Sequence, residues 1–452
     1  MKALFGTDGI RGEAGRFPLD RTTVNRIGFS LASHLVKANQ TNPVIVIGRD
    51  TRESGEWLEQ ALIQGAMKAG AECHVAGVIT TPGVAFLTGD LNADAGVVIS
   101  ASHNPYHDNG IKIFSASGQK LDDSIERIIE ADILAESTED HSPNIRGSLP
   151  AASEPAELQE RYLRFLADDI ARDLSLTGLK IVVDCANGAS SRLAPRLFER
   201  LGSNVVAINA EPDGRNINLN CGSLHIESLQ ERTVREHADL GVAFDGDADR
   251  ALFVDAEGNF VDGDATLWVL ARDLKARGEL IDDTVVATVM SNIGLEIALR
   301  NEGLLLVRTD VGDKYVLEEL LRRGASLGGE QSGHVILPAL SLAGDGMITA
   351  LRLIRSMRHA GKSLSQLTDG FQRYPQVLVN VRVTEKRPFS DLPRVRTAVK
   401  EVENSLANDG RLLLRYSGTE PLARIMIEGK NQAEIEDLAG QIASSIEAEI
   451  GL

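Results

Sequence analysis

The chain is predicted to fold as three similar α/β domains with mixed, mainly parallel sheets, followed by a smaller C-terminal α+β domain, the four arranged around a central cleft. Three observations carry this. A β-α-β-α-β pattern occurs three times in succession. Near the C-terminus the pattern changes to strand, helix, two strands and helix. And 452 residues are more than one hydrophobic core usually supports before a chain divides.

The first copy begins with "NPVIVIGRDTR", whose β-branched run reads as a strand. "SGEWLEQALIQGAMKAG" then spaces apolar residues at the helical period and stops at Gly70. "ECHVAGV" is the next strand, a short helix runs through Leu87, and "AGVVIS" closes the copy. The second runs from "LKIVVDCANG" through "NVVAINA" and the helix around "ESLQERTVREHA" to "LGVAFDGDADR". The third runs from "TVVATVM" through "LLLVRTDVGDKYVLEELLRRG" to "ASLGGEQSGHVIL". Such alternation places helices on both faces of largely parallel sheets.

A polar, proline-bearing stretch from Glu136 to Pro155 reads as the connection between the first two copies. Near "EGNFVDGDAT" the second joins the third, with Asp264 expected to cap a helix through Leu267, Leu270 and Leu274. Domains at 1–150, 151–256, 257–370 and 371–452 follow, the last holding "VLVNVRV", a helix near "VRTAVKEVENSLA", "LLLRYSGTEPLARIMI" and a final helix.

Composition narrows the function. Lys plus Arg number 47 against 65 Asp plus Glu, a net charge of -18. That balance argues against a nucleic-acid binder or a binder of anionic membranes, which rely on basic surface. An anionic substrate must be held by local clusters of arginine, lysine and backbone N–H groups. Cys73, Cys185 and Cys221 lack metal-ligand spacing and read as free thiols in a reducing compartment. "MKALFGTDGIRG" has no apolar core of signal-peptide length, and no run approaches the roughly 20 apolar residues of a membrane span, so a cytoplasmic protein is expected.

In each copy the last strand ends in a polar loop: "SASHNP", "DGDADR" and "GGEQSGH". Ligands of open α/β sheets bind beyond the carboxyl ends of the strands, so three such ends can converge on one cleft. In "DGDADR", alternate carboxylates on an extended chain point one way. Two unit charges about 4 Å apart repel by about 4 kcal/mol at an effective dielectric of 20, so three cost on the order of 10 kcal/mol unless neutralised. A divalent cation removes that cost, and an oxygen-only ligand set suits Mg²⁺. The loop is no EF-hand: Arg250 stands where that loop needs Gly and Ala256 where it needs Glu. The C-terminal "RYSGTEPLAR" joins Arg415, Ser417, Gly418 and Thr419 in a turn, with Arg424 on the following strand, a combination suited to gripping phosphate. No Walker A sequence accompanies it.

Ser102 of "SASHNP" has no G-x-S-x-G elbow, and on an extended chain its neighbour His103 would point away from it, so a protease-type triad does not fit. With a metal loop and a phosphate grip elsewhere, a serine that carries a phosphoryl group fits better, its phosphate completing the metal's oxygen shell beside Lys112.

"SASHNP", "DGDADR", "GGEQSGH" and "RYSGTEP", in that order and one to each domain, resemble the motifs of the α-D-phosphohexomutases. The resemblance covers essentially the whole chain. It implies Ser102 as the phosphoserine, with Asp245, Asp247 and Asp249 as Mg²⁺ ligands together with a phosphoryl oxygen on Ser102. Glu330 and Ser332 would contact sugar hydroxyls, and the loop from Arg415 to Arg424 would hold the non-reacting phosphate. Arg11, Lys112, Arg250 and His334 would surround the reacting end, with His334 or Lys112 as general base. Gln331 and the neighbouring "TDVGDKYV" resemble the branch of the family that acts on glucosamine phosphates and feeds UDP-N-acetylglucosamine synthesis, rather than the phosphomannomutase/phosphoglucomutase branch. A hexosamine phosphate would then be the substrate and a sugar bisphosphate the intermediate. Two other classes compete. In a haloacid-dehalogenase-like enzyme, an Asp nucleophile in D-x-D-x-[TV] would do the work, but Asp249 occupies the Thr/Val place. A sugar-phosphate sensor would typically have lost the serine or an acid, and both are present. A homodimer is expected on base rates.

Overall fold

The structure is a computed structural model that describes residues 4–6, 9–39, 42–135, 153–417 and 420–452. Most of the connection expected from Glu136 to Pro155 lies outside the described residues, as do Gly418 and Thr419. The chain forms two compact units, one of Met1–Val289 with Val307–Asp369, the other of Met290–Leu306 with Gly370–Leu452.

The first unit holds three sheets built on one plan. In the six-stranded sheet, Val44–Arg49 pairs in parallel with Glu72–Val78 and with Ala95–Ile99. Ala95–Ile99 then pairs antiparallel with Asp108–Ser115, which pairs with Gly9–Glu13. The five-stranded sheet repeats the plan, Lys180–Asp184 lying parallel to Asn204–Ile208 and Leu240–Phe244 before Ala251–Asp255 returns antiparallel. In the four-stranded sheet the corresponding strands are short, Gly328–Gly329 lying parallel to Thr284–Thr288 and antiparallel to Val335–Ile336. In every sheet the polar loop read from the sequence is the turn that reverses the chain from the last parallel strand into an antiparallel one. In the first two sheets the antiparallel strand lies beyond the point where the β-α-β-α-β pattern ends, and in the third it is the "VI" of "GHVIL"; these strands make the sheets mixed.

Apolar patterning explains why these elements bury where they do. Ala95–Ile99 is buried at every position, as a strand covered on both faces requires. Helices Arg21–Asn39 and Gly55–Lys68 cover one face of the first sheet, and they approach so closely that a Cβ on Gly65 would lie 1.9 Å from the Asn25 carbonyl oxygen. The expected stop at Gly70 holds within two residues, the helix ending at Lys68. The cap expected at Asp264 is instead Asp262, whose extended backbone lets its carboxylate accept from Ala265 N at 3.0 Å at the head of helix Gly263–Ala276. Asp264 lies one residue inside that helix, in its first turn.

The second unit is an antiparallel sheet in the order Gln376–Arg382, Leu422–Glu428, Arg411–Tyr416, packed with helices Pro393–Leu406 and Gln432–Ile450. Val395, Val402, Ile425, Ile427, Ile442 and Ile446 form its core. Helix Ile293–Asn301 belongs to this unit. Buried Glu428 accepts from Asn292 Nδ2 and Ile293 N, both at 3.1 Å, and pairs with Arg411 Nη2 at 2.9 Å.

Candidate active site

The three loops of the first unit meet. Ser102, just past the end of Ala95–Ile99, is 1% exposed and donates its hydroxyl to Asp245 Oδ2 at 2.6 Å. Its backbone has φ of 50°, a left-handed conformation that costs a non-glycine residue roughly 1 kcal/mol or more. That turn brings His103 Nδ1 to 3.3 Å from Ser102 Oγ, so the expectation that His103 points away is corrected: the chain is not extended here. Burial, then the cations of Arg250 and Arg11, hold His103 below the usual imidazole range.

The carboxylate loop is packed against the serine loop. A Cβ on Gly246 would come within 2.5 Å of the Ser102 carbonyl oxygen, so this position admits no side chain without displacing the loop. Asp245, Asp247 and Asp249 are all buried, and their ligand atoms lie within 4.8 Å of one another. Thr81 Oγ1 donates to Asp247 Oδ2 at 2.5 Å, and Lys112 Nζ lies 2.8 Å from the same oxygen and 3.5 Å from Asp249 Oδ2. Oδ1 of Asp247 and of Asp249 are buried without a hydrogen-bond partner. Such oxygens demand a cation or a donor. Burial and the facing carboxylates of Asp249 and Asp247 push Asp245 well above the usual carboxylate range. Burial also disfavours the charge on Asp249, but Lys112, His334 and Arg250 outweigh it and hold that carboxyl well below the range. Three close acids, two with idle buried oxygens and one pushed toward protonation, fit a hard divalent cation.

The "GGEQSGH" loop supplies the third wall. His334 Nδ1 lies 3.7 Å from Asp249 Oδ2, and its Nε2 lies 3.8 Å from Asp313 Oδ2. Burial opposes its charge, yet Asp249, Asp313 and Glu330 together draw its pKa up to about 9. Ser332 Oγ donates to Glu330 Oε2 at 3.2 Å. Arg11, His103, Arg250, Glu330 and His334 line a cavity of about 600 Å³, large enough for a phosphorylated sugar. Gln331 instead turns its amide to Asp264 at 3.1 Å, so any influence of this position on substrate passes through the helix start.

Thus Ser102, Lys112, Asp245, Asp247, Asp249, Arg250, His334, Glu330, Ser332 and Arg11 are brought into one region. Arg415, Ser417 and Arg424 belong to the second unit. There Arg415 and Arg424 stand directly opposite each other across antiparallel strands, and Lys386 Nζ donates to the Ser417 carbonyl at 2.6 Å. Sequence reasoning missed Arg52. It is fully buried, pairs with Asp50 at 2.9 Å, and donates to the carbonyls of Ser102 and Asn104 at 2.9 and 2.8 Å, and also to those of Pro105 and Asp108. Its only sequence signal was "GRDTR", where Asp50 and Arg52 alternate at the end of a strand.

A buried serine hydroxyl on a carboxylate cluster compatible with a metal ion, beside a cavity lined by both cationic and acidic side chains, marks the candidate active site on this multidomain α/β scaffold. The chain belongs to the phosphoglucomutase/phosphomannomutase family, matching its alpha/beta/alpha domains I, II and III over residues 2–140, 160–258 and 262–374 and its C-terminal domain over 378–445. It is 51% identical over 456 residues to a phosphoglucosamine mutase of Solibacter usitatus, covering 100% of this chain and 99% of the relative. It is 48% identical to one of Syntrophotalea carbinolica, covering 100% and 98%. Among solved structures, a phosphoglucomutase/phosphomannomutase family protein of Burkholderia thailandensis shares the fold with a TM-score of 0.79 at 23% identity, covering 100% of both chains. The Aspergillus fumigatus N-acetylphosphoglucosamine mutase, solved with GlcNAc-6P and magnesium, shares it with a TM-score of 0.63 at 18% identity, covering 98% and 95%.

Proposed function

We propose that the chain interconverts glucosamine 6-phosphate and glucosamine 1-phosphate, through a phosphorylated Ser102 and a sugar bisphosphate. The observation that carries this is the buried Ser102 hydroxyl, 2.6 Å from one acid of a three-carboxylate cluster. The names of the two full-length relatives support the amino sugar.

In this reading the P–Oγ bond of phospho-Ser102 breaks as a P–O bond forms to the free hydroxyl at one end of the hexosamine phosphate, whose proton passes to the neutral form of His334 or Lys112, a form that for His334, with its pKa drawn up to about 9, is the minor one at neutral pH. The bisphosphate turns over, and Ser102 Oγ takes the phosphoryl group from the other end. Asp245, Asp247 and Asp249 would hold Mg²⁺ together with a phosphoryl oxygen on Ser102. When bound, Mg²⁺ supplies charge neutralisation for the transferred group. Arg11 and Arg250 orient the reacting phosphate, Glu330 and Ser332 contact the sugar, and Arg415, Ser417, Gly418, Thr419 and Arg424 grip the other phosphate. Residues 1–150 then carry the serine loop, 151–256 the metal loop, 257–370 the sugar loop and 371–452 the phosphate loop. Three buried free thiols suit a cytoplasmic setting, and a homodimer, to be read by light scattering, completes the proposal.

Glu330 favours a 2-ammonium group over a hydroxyl by about 1 to 3 kcal/mol of charge assistance, roughly tenfold to a hundredfold. In direct competition, kcat/KM for glucosamine 1-phosphate should exceed that for glucose 1-phosphate by at least about tenfold. Equal or reversed preference would favour phosphomannomutase/phosphoglucomutase activity instead.

A further inference from the structure

We propose that Asn218, in the second domain, is a positioning residue for the Ser102 nucleophile, acting through the backbone of the serine loop; the inference rests on the reading of Ser102 as the phosphoryl carrier. The left-handed turn at Ser102 sends the carbonyls of Ser102 and Asn104 to one side, where the same two side chains meet both. Arg52 Nη2 donates to them at 2.9 and 2.8 Å, and Asn218 Nδ2 donates to them at 2.8 and 3.1 Å. The two donors come from different places. Arg52 follows strand Val44–Arg49 and ties the loop to its own sheet. Asn218 comes from the segment after strand Asn204–Ile208, in the sheet whose strand Leu240–Phe244 leads into Asp245.

Asn218 is itself fixed. Its φ is 57°, and its N–H donates to the Ala186 carbonyl at 2.9 Å. Its amide also packs on the carboxylate loop, since a Cβ on Gly246 would lie 2.9 Å from Asn218 Nδ2. One amide therefore sets the register between the backbone carrying the nucleophile and the loop whose Asp245 holds the nucleophile's oxygen. Displacement of a reacting atom by about 1 Å can cost on the order of a hundredfold in rate. Asn218 bonds the backbone carbonyls of the loop, whereas the Ser102 hydroxyl bonds Asp245, so loss of the amide should lower kcat and leave KM alone.

The test uses the full chain with Asn218→Gly, which deletes the amide yet tolerates the left-handed backbone, and Asn218→Asp, which keeps shape and replaces the donor with an acceptor facing two carbonyls. Each variant should lose roughly tenfold to a hundredfold in kcat, with KM within about threefold of wild type. Without substrate, amide hydrogen exchange across residues 100–108 should rise in both, with the other strands of that sheet unchanged. Wild-type exchange and wild-type kcat in both variants would overturn the assignment, and so would raised KM at unchanged kcat. A wild-type protein that turns over no hexose phosphate would overturn the proposed function first, and this assignment with it. If Asn218→Gly does not fold, the isosteric Asn218→Asp decides alone.

Discussion

In the serine loop the carbonyls of Ser102 and Asn104 are each matched to the side-chain donors of Arg52 and Asn218, whereas the C-terminal hairpin sets exposed Arg415 directly across from half-buried Arg424, which pairs with Glu420 at 3.2 Å. Like charges opposite each other on neighbouring strands destabilise a sheet. The hairpin therefore holds two like charges in apposition, while the serine loop holds a strained backbone that buried partners keep in place. Bond-making requires placement to a fraction of an ångström; retaining a spectator phosphate requires charge and reach. In the proposed function the serine loop has the first task and the hairpin the second.

The largest expected effect tests the serine side. Ser102→Ala removes only the acceptor oxygen, and turnover should fall by about 10⁴-fold or more with the melting temperature nearly unchanged. Wild-type-like turnover by the alanine variant would take Ser102 out of the mechanism. Next comes the carboxylate loop. Asp247→Asn should weaken Mg²⁺ binding by at least about tenfold in calorimetry, and chelation should stop the wild type reversibly. Full activity in excess chelator would show that the loop is no metal site.

Arg52 sharpens the comparison through stability. Arg52→Ala leaves Asp50 buried without its cation and several carbonyls short of a donor, and should cost about 3 to 5 kcal/mol in denaturant unfolding of the first unit. The hairpin should behave in the opposite way. Arg415→Ala should raise KM about tenfold to a hundredfold, leave kcat within about threefold, and leave stability unchanged or higher by a few tenths of a kcal/mol. A large loss of stability in that variant would mean that the hairpin, like the serine loop, is built for rigidity.

What was legible in the sequence follows the same division. The acids of "DGDADR" declare themselves by spacing, and Arg415 and Arg424 by charge in a glycine-bearing turn, because those signals are local. Arg52 and Asn218 act on backbone carbonyls 50 to 116 residues away and leave no periodicity to read. The turn that swings His103 toward Ser102 depends on φ at one serine, which residue type does not announce. At the start of helix Gly263–Ala276 two acids one residue apart, Asp262 and Asp264, both suit a cap, and only the backbone decides between them.

The central claim, that Ser102 carries the phosphoryl group, is tested most directly by incubating the purified protein with a hexose 1,6-bisphosphate and mapping the phosphopeptides after acid treatment. A single acid-stable phosphate on Ser102 is the expected result. An acid-labile phosphate on Asp245, Asp247 or Asp249, or no phosphate on the protein at all, would contradict it.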